Sequence, residues 1–282
     1  MISRIRFPNK GMGSPLSAAE LQAFLGLAGG ANESFGFLGM PRDANTTTTS
    51  AITSWAVYDS LCISGGSLVL LLAAELASLS SVRGVLRQHG GRELYATAVI
   101  YNLVNFFIIG PITYAFATTF LCTSERKTLL SSVSTGIGLL LVHALGYYLA
   151  HFAMHTKSLY WAHRFHHRFN THIVPMAANA VTFSEYVIAY MLPFIVGCLL
   201  FNPDVPALFG TASVISFNNI LIHTPGLDEL SRRIVPWWGV STYDHTEHHR
   251  RLTTNYAAPT INIDKILAAI VGSRSEKAGK FS

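Results

Sequence analysis

The sequence predicts an all-α, polytopic membrane bundle carrying a polar, histidine-rich cap on one side. Three observations predict it. The 282-residue chain is 50% apolar and only 12% charged, about half the charged fraction of an ordinary soluble protein. Charge is also blocked. No Asp, Glu, Lys or Arg falls between Glu93 and Glu125, Lys127 and Lys157, Glu185 and Asp204, or Asp204 and Asp228, and a helical crossing takes about 20 apolar residues. Finally, eight of the twelve histidines fall into three spaced groups at the ends of these windows.

Taken in order, residues 1–50 form a polar segment rich in Gly, Ser, Asn and Thr, with a short amphipathic helix expected at 17–28. Met1 to Pro8 has no apolar run behind its charges, so the first internal span, not a signal peptide, is expected to direct insertion. Residues 51–282 then read as one membrane-embedded domain with its catalytic core at about 95–270. A first span covers 56–80, where Glu75 sits near an interface or a helix contact, and a polar loop over 81–93 carries Arg83, Arg87 and Arg92. The second, 95–122, is interrupted at Gly110-Pro111, where a proline kinks the helix or splits it into a hairpin. The third, 130–153, runs straight into His151 and His155. Two shorter pieces, 186–201 and 206–223, are joined by Asn202-Pro-Asp-Val-Pro206 as a tight turn. A there-and-back hairpin of that kind leaves the regions before and after it on the same side. The arginines of the 81–93 loop and the tail 224–282, with eight basic and six acidic residues, mark that side as cytosolic.

Composition excludes other classes. The net charge of +5 forms no basic stripe interleaved with aromatics, so no nucleic acid is expected, and lipid headgroups are the better partner. Cys62, Cys122 and Cys198 lie far apart without a CxxC, which leaves neither a disulfide framework nor a thiolate site.

The chemistry is concentrated in His151-Phe-Ala-Met-His155, His163-Arg-Phe-His166-His167 and His245-Thr-Glu-His248-His249. Residues three and four apart share a helix face, so each pattern aims its imidazoles at one point. Neutral imidazole is the commonest transition-metal ligand. Eight exceed what one ion takes, and two metals are the natural reading. His223, at the end of the last apolar piece, is placed to be a ninth ligand. His172 stands between site and surface. Asn219, one turn before His223, is a weak ligand or a hydrogen bonder to one. Asp244 and Glu247, flanking His245, read as carboxylates that orient imidazoles; of the acids, only they and Glu185 lie near the clusters. His143, alone in an apolar helix, reads first as a hydrogen-bonded core residue and second as a site residue. His89, beside Gly90-Gly91, has no expected role. Arg164, Arg168, Arg250 and Arg251 are expected at solvent or headgroups, or docking an acidic electron donor. Tyr147, Tyr148 and Phe152 are expected in helix packing, with a substrate channel as the alternative.

HxxxH, HxxHH and a later HxxHH embedded in apolar hairpins resemble the fatty acid hydroxylase/sterol desaturase superfamily of membrane histidine-motif diiron oxygenases. The likeness extends to His163-Arg-Phe-His166-His167-Arg-Phe-Asn-Thr-His172, to Asn219-Ile-Leu-Ile-His223-Thr, and to Asn255-Tyr256-Ala with Ile263-Asp264-Lys265-Ile266-Leu267. Departures are Phe183-Ser184 in place of a His-Pro before Glu185, Ile263 in place of a Trp, and the lack of a fused cytochrome b5 domain. The resemblance implies two irons, O2 as co-substrate, zinc as a substitute in purified protein, and electrons from a separate donor such as cytochrome b5 and its reductase. It also implies an endoplasmic reticulum membrane and a hydrophobic small-molecule substrate, either a lipid, a sterol-like molecule or a lipophilic secondary metabolite, that is hydroxylated or desaturated. A member recruited to isomerise or cyclise a polyketide or terpenoid is one competing reading. A membrane metal transporter or metal-binding scaffold is the other, although transporters place ionisable groups near mid-membrane rather than at span ends.

Overall fold

The computed structural model describes residues 34–35, 41–42, 49–123, 125 and 127–279. Within the unit Met1–Thr47, β1 (Ser34–Phe35) and β2 (Pro41–Arg42) pair antiparallel. The amphipathic helix expected at 17–28 lies outside the described residues. In the unit Thr48–Ser282 the elements among the described residues are helices, with one isolated bridge between Gly239 and Ile261, as the charge-free windows foretell. Five of its helices are long and apolar enough to cross a membrane.

In order these are α1 (Thr49–Ala77), α3 (Gly91–Phe120), α4 (Leu129–Met154), α5 (Phe183–Phe201) and α6 (Val205–Ile222). Before α3 comes α2 (Leu79–Arg87); after α6 come α7 (Asp228–Ile234), α8 (Thr242–Arg251) and α9 (Ile263–Gly279). The expected polar loop at 81–93 is therefore largely a helix. Val82 and Val85 are buried while Arg83 and Arg87 are exposed, the pattern of a helix lying along an apolar surface.

Gly110-Pro111 does not split α3 into a hairpin. A π turn at Asn105–Ile109 precedes the proline, and the Phe106 carbonyl, which the missing Pro111 N–H leaves open in that register, accepts from Ser64 Oγ of α1 at 2.6 Å. The same device recurs in α5, where a π turn at Tyr186–Met191 precedes Pro193. Among the described residues, two crossings thus precede α4. At the far face the turns meet, with Thr123 N–H donating to Pro203 O at 2.9 Å and Lys127 Nζ to Asn202 O at 2.8 Å. The C-terminal ends of α1, α4 and α6 and the N-terminal ends of α3 and α5 share the opposite face.

Irregular backbone inside a membrane bundle must be satisfied by protein, and the buried segment 173–181 shows how. Met176 N–H donates to Glu75 Oε1 of α1 at 2.6 Å. From α3, Asn102 Nδ2 donates to Met176 O at 2.7 Å and Asn105 Nδ2 to Asn179 O at 2.9 Å and Val181 O at 3.1 Å. From α6, Asn219 Nδ2 donates to Ala178 O at 2.7 Å. Glu75, which also accepts from Tyr95 OH at 2.9 Å, is therefore a staple between spans, the helix-contact role that its position allowed.

Helix packing without a solvent-driven hydrophobic force favours small residues at close crossings. In α4, a Cβ on Gly146 would lie 2.6 Å from Pro193 Cβ, and one on Gly138 would lie 2.8 Å from the Phe201 ring. Gly146→Val should accordingly lower the thermal unfolding midpoint of the detergent-solubilised protein, at a cost of about 1–3 kcal/mol from overpacking. An unchanged midpoint means that α4 and α5 do not meet there.

Candidate dimetal centre

Span lengths set the depth of the histidines. From Leu129, about 20 residues of α4 cross the hydrocarbon, which places His151 and His155 just beyond it. His223 caps the end of α6, and the turns bearing His163, His166 and His167 (Tyr160–His163 and His166–Phe169) immediately follow α4 in the polar cap. α8 brings His245, His248 and His249 from the C-terminal side. Its start is fixed by a capping box in which Ser241 Oγ accepts from Asp244 N–H while Asp244 Oδ2 accepts from Ser241 N–H.

The nine histidines expected as ligands come together as two groups: His151, His155, His163, His167 and His248 in one, and His166, His223, His245 and His249 in the other. Within each group the candidate ligand atoms lie within 4.8 Å of one another. The two groups abut, with the rings of His167 and His249 4.7 Å apart. The motifs are divided between them in a regular way. The i,i+4 pairs 151/155 and 163/167 serve the first group and 245/249 the second, while the remaining member of each HxxHH, His166 or His248, crosses to the other.

In the first group the Nε2 atoms of His151 and His163 are 2.9 Å apart, those of His155 and His151 3.3 Å, and those of His167 and His155 3.2 Å. In the second, His245 to His223 is 2.9 Å, His249 to His245 3.1 Å and His223 to His166 3.4 Å. For a metal–nitrogen length of about 2.1 Å, adjacent ligands lie about 3.0 Å apart in an octahedron and about 3.4 Å in a tetrahedron. The spacing is that of a coordination sphere.

The tautomers point the same way. His151 Nδ1 donates to Tyr256 O at 2.7 Å, His163 Nδ1 to Glu185 Oε1 at 2.6 Å, His223 Nδ1 to Asn219 O at 2.7 Å and His248 Nδ1 to Thr254 O at 2.8 Å. A neutral imidazole that donates from Nδ1 carries a lone pair on Nε2. His151 and His163 thus oppose two lone pairs across 2.9 Å, and His248 Nε2 is buried with no hydrogen-bond partner. A cation between them resolves both. Protonation does not, because burial holds the imidazoles neutral, pushing His155 and His223 down to about 4 and His248 to about 3, with neighbouring histidines adding to the effect at His163, His166, His245 and His249. The donor set fits two ions of the imidazole-preferring transition metals.

Five secondary candidates sit elsewhere. His172 is half-buried against α2, where a Cβ on Gly84 would touch its ring at 2.7 Å, so the chain has turned away from the clusters before reaching it. Asn219 supports His223 through its backbone carbonyl, while its side chain holds the 173–181 segment. Asp244 and Glu247 do not orient imidazoles, correcting the sequence expectation. Asp244 Oδ2 serves the α8 cap and accepts from Lys265 Nζ at 2.7 Å, and Glu247 pairs with Arg250 and Arg251 at the surface. His143 belongs to neither group. It lies two turns below His151 beside Tyr147 and Phe194 and lines a cavity of about 30 Å³, shared with Asn105, Tyr190 and Asn219, room for about one water-sized group. Exposed His89 has no role in the site. Tyr147 is buried on Tyr190 at 5.0 Å while Phe152 is exposed and meets Tyr256.

The supporting acceptors that sequence reading missed are the Thr254 and Tyr256 carbonyls. They are turned over the clusters by positive φ at Leu252 and Asn255, and Asp264 Oδ2 fixes the turn by accepting from Ala257 N–H at 2.7 Å. Their only sequence signal is Asn255, a residue that tolerates the left-handed region.

Three outcomes are expected. Because each HxxHH feeds both groups, His166→Ala or His248→Ala should lower bound metal by more than one equivalent per chain, measured by elemental analysis, whereas His89→Ala should leave it unchanged. Glu185→Gln should weaken metal affinity about 10–100-fold, as measured by competition with a chelator. In the metal-free protein the folded state keeps these imidazoles neutral while the unfolded chain protonates them near pH 6.5. Stability should therefore fall as pH drops from about 6.5 towards 4, read as a declining unfolding midpoint after chelation.

Residues 136–269, from the middle of α4 into α9 and so containing all nine histidines, match the model of the family described as fatty acid hydroxylase. No curated protein and no solved structure matches the chain. With the three histidine motifs in order, two clusters assembled from them and apolar spans beneath, residues 136–269 form a region of the fatty acid hydroxylase family, a family of diiron oxidoreductases.

Proposed function

We propose that this protein is a membrane diiron oxygenase that hydroxylates or desaturates a hydrophobic substrate, such as a lipid, a sterol-like molecule or a lipophilic secondary metabolite. The observation that carries the reading is the pair of carboxylate-free imidazole clusters seated where α4 and α6 leave the hydrocarbon. Soluble diiron bundles use carboxylate-rich ligand sets; this chain uses none among the described residues of either cluster. Two irons, when bound, would supply the O2 activation that attack on an unactivated C–H bond demands and that zinc cannot provide.

The chain's residues do the rest. The nine histidines hold the metal pair, and the Glu185 carboxylate and the Tyr256, Thr254 and Asn219 carbonyls hold the rings in one tautomer. The buried aromatics below His151, led by Tyr147 and Tyr190, exclude water from the side that faces the bilayer. A substrate dissolved in the bilayer reaches the clusters without crossing bulk water, because the ligands begin where the apolar spans end. Electrons come from a separate donor such as cytochrome b5 with its reductase. The basic surface formed by Arg83, Arg87, Arg164 and Arg168 on the metal face supports a cytosolic orientation of that face, in the endoplasmic reticulum membrane. Placement of the clusters at span ends, not midway along a path, weighs against a metal transporter.

The test is direct. The purified protein should contain close to two irons per chain. Supplied with reductant and a lipid extract, it should yield a product that gains one oxygen or loses two hydrogens, only when O2 is present. A product formed equally without O2 assigns the site to isomerisation or cyclisation instead. Metal flux into vesicles without oxygen consumption would revive the transporter.

A further inference from the structure

A groove of about 400 Å³ lies on the outer side of the segment that bears His163, His166 and His167, lined by Tyr101, Trp161, Arg164, Phe165, Arg168 and Thr182. The histidines of this segment face inward and are buried, while Trp161, Arg164 and Arg168 are exposed on the opposite side. Its floor is aromatic. Tyr101 of α3 meets the Phe165 ring edge-on at 4.7 Å, and the Arg168 guanidinium lies 5.8 Å from that ring's centre.

Two helix registers give the depth of the groove independently. α3 has 30 residues, about 45 Å at 1.5 Å per residue, against a hydrocarbon thickness of about 30 Å. With Phe120 at the far face, the crossing runs back about 20 residues to the neighbourhood of Tyr101, and the preceding turns stand in the headgroup layer and beyond it. α5, at 19 residues, only just crosses, so Phe183 is its last residue in the hydrocarbon and Thr182 lies outside. Tyr101 and Thr182, both lining the groove, therefore sit at one level, the boundary between acyl chains and headgroups. Trp161, 56% exposed, is a residue type that prefers this layer.

Charge completes the argument. On α7 and α8, arginines are neutralised within their own helices: Arg232 by Asp228, Arg233 by Glu229, and Arg250 and Arg251 by Glu247. Among the described residues, Arg164 and Arg168, like Arg83, Arg87 and Arg92 on the same face, have no ion pair with a carboxylate, and of these only Arg164 and Arg168 line the groove. They stand four apart at the mouth of a concave, aromatic-walled groove at headgroup depth.

We infer that this groove is a binding site for one anionic phospholipid, with the phosphodiester headgroup between Arg164 and Arg168, Trp161 at its glycerol level, and its chains running down the lipid-facing side of α3, where Ile100 and Leu103 are exposed. The lipid braces the histidine-bearing segment from outside, as Glu185 does from inside. The inference rests on the membrane placement of the spans and is independent of the oxygenase chemistry.

The experiment uses the full-length protein in detergent, titrated with dioleoyl phosphatidylglycerol, with dioleoyl phosphatidylcholine of the same chains, or with glycerol phosphate as the free headgroup. Bound lipid is counted by native mass spectrometry, and thermal stability and metal content are read in parallel. Phosphatidylglycerol should bind in preference to phosphatidylcholine and raise the unfolding midpoint, while glycerol phosphate should do neither. Arg164→Gln with Arg168→Gln should weaken phosphatidylglycerol binding roughly 30-fold, each arginine contributing about fivefold, with metal content retained. Arg232→Gln with Arg233→Gln should leave it intact. A double variant that keeps the wild-type lipid preference overturns the assignment, as does the lack of any preference in the wild type or an equal loss in the paired-arginine control. Loss of cytochrome b5 binding with the lipid preference unchanged would assign the groove to an acidic protein and also overturn it.

Discussion

Two imidazole nitrogens facing each other across 2.9 Å, each carrying a lone pair because the other ring nitrogen is already donating, cannot rest in a buried site without a positive charge between them. The rest of the structure serves that opposition. His151 is locked by a carbonyl from the far C-terminal side and His163 by a carboxylate at the head of α5, so neither ring can rotate to relieve the contact. The burial that keeps the histidines neutral also makes them available as ligands, since a metal then has no proton to displace. Charge from the ions replaces charge that the protein never introduces. The clusters contain no acid among the described residues, and the one buried carboxylate in contact, Glu185, stands outside them.

Such a site needs rigid walls, yet four of its elements end at it and one connecting segment is irregular. Buried polar groups from three different spans, Glu75 on α1, Asn102 and Asn105 on α3, and Asn219 on α6, all bond to the backbone of 173–181. A polar side chain in an apolar span is costly unless it is partnered, and here the partner is the loop that carries the chain from the first HxxHH to α5. Asn219 is used twice. Its side chain anchors the loop and its carbonyl sets the His223 tautomer, so the seating of the loop and the orientation of one ligand depend on the same turn of α6.

The spans and the convergence of the eight motif histidines were legible in the sequence because both rest on spacing: charge-free windows of membrane length, and imidazoles at i, i+3 and i+4; His223, which joins them, was legible only from its place at the end of an apolar piece. The supporting groups were not. Asp244 and Glu247 adjoin His245 and His248 in sequence, but a helix turns about 100° per residue. With His245, His248 and His249 inward, Glu247 faces solvent, where arginines three and four residues on meet it, and Asp244 is taken by the cap that starts the helix. Adjacency misled where helical phase would have corrected it. The Thr254 and Tyr256 carbonyls left no mark, since any residue supplies one, and only the left-handed turn at Asn255 hints at them. Pro111 was ambiguous for a different reason: whether a proline ends a span depends on whether a π turn and a hydroxyl from a neighbouring helix, here Ser64 of α1, can absorb the lost donor. That is settled by neighbours on other helices, such as those of Asn105.

The division of the HxxHH motifs between the clusters bears on how the centre assembles. Had each motif built one sphere, either ion could bind with the other absent. Instead the first motif gives His163 and His167 to one cluster and His166 to the other, while the second gives His248 to the first and His245 and His249 to the second. Seating either ion therefore positions a residue of both motifs, and the backbone that aims His163 and His167 also aims His166. The ordering cost of the second sphere is largely met once the first has formed, which is positive coupling by preorganisation. Only the second motif lies on one helix, α8, where His245 and His249 share a face and His248 points aside; the first spans two turns, Tyr160–His163 and His166–Phe169, so its division between the clusters is set by the backbone of the cap. The two clusters thus share both motifs, one divided by helical phase and the other by the turn between two short elements.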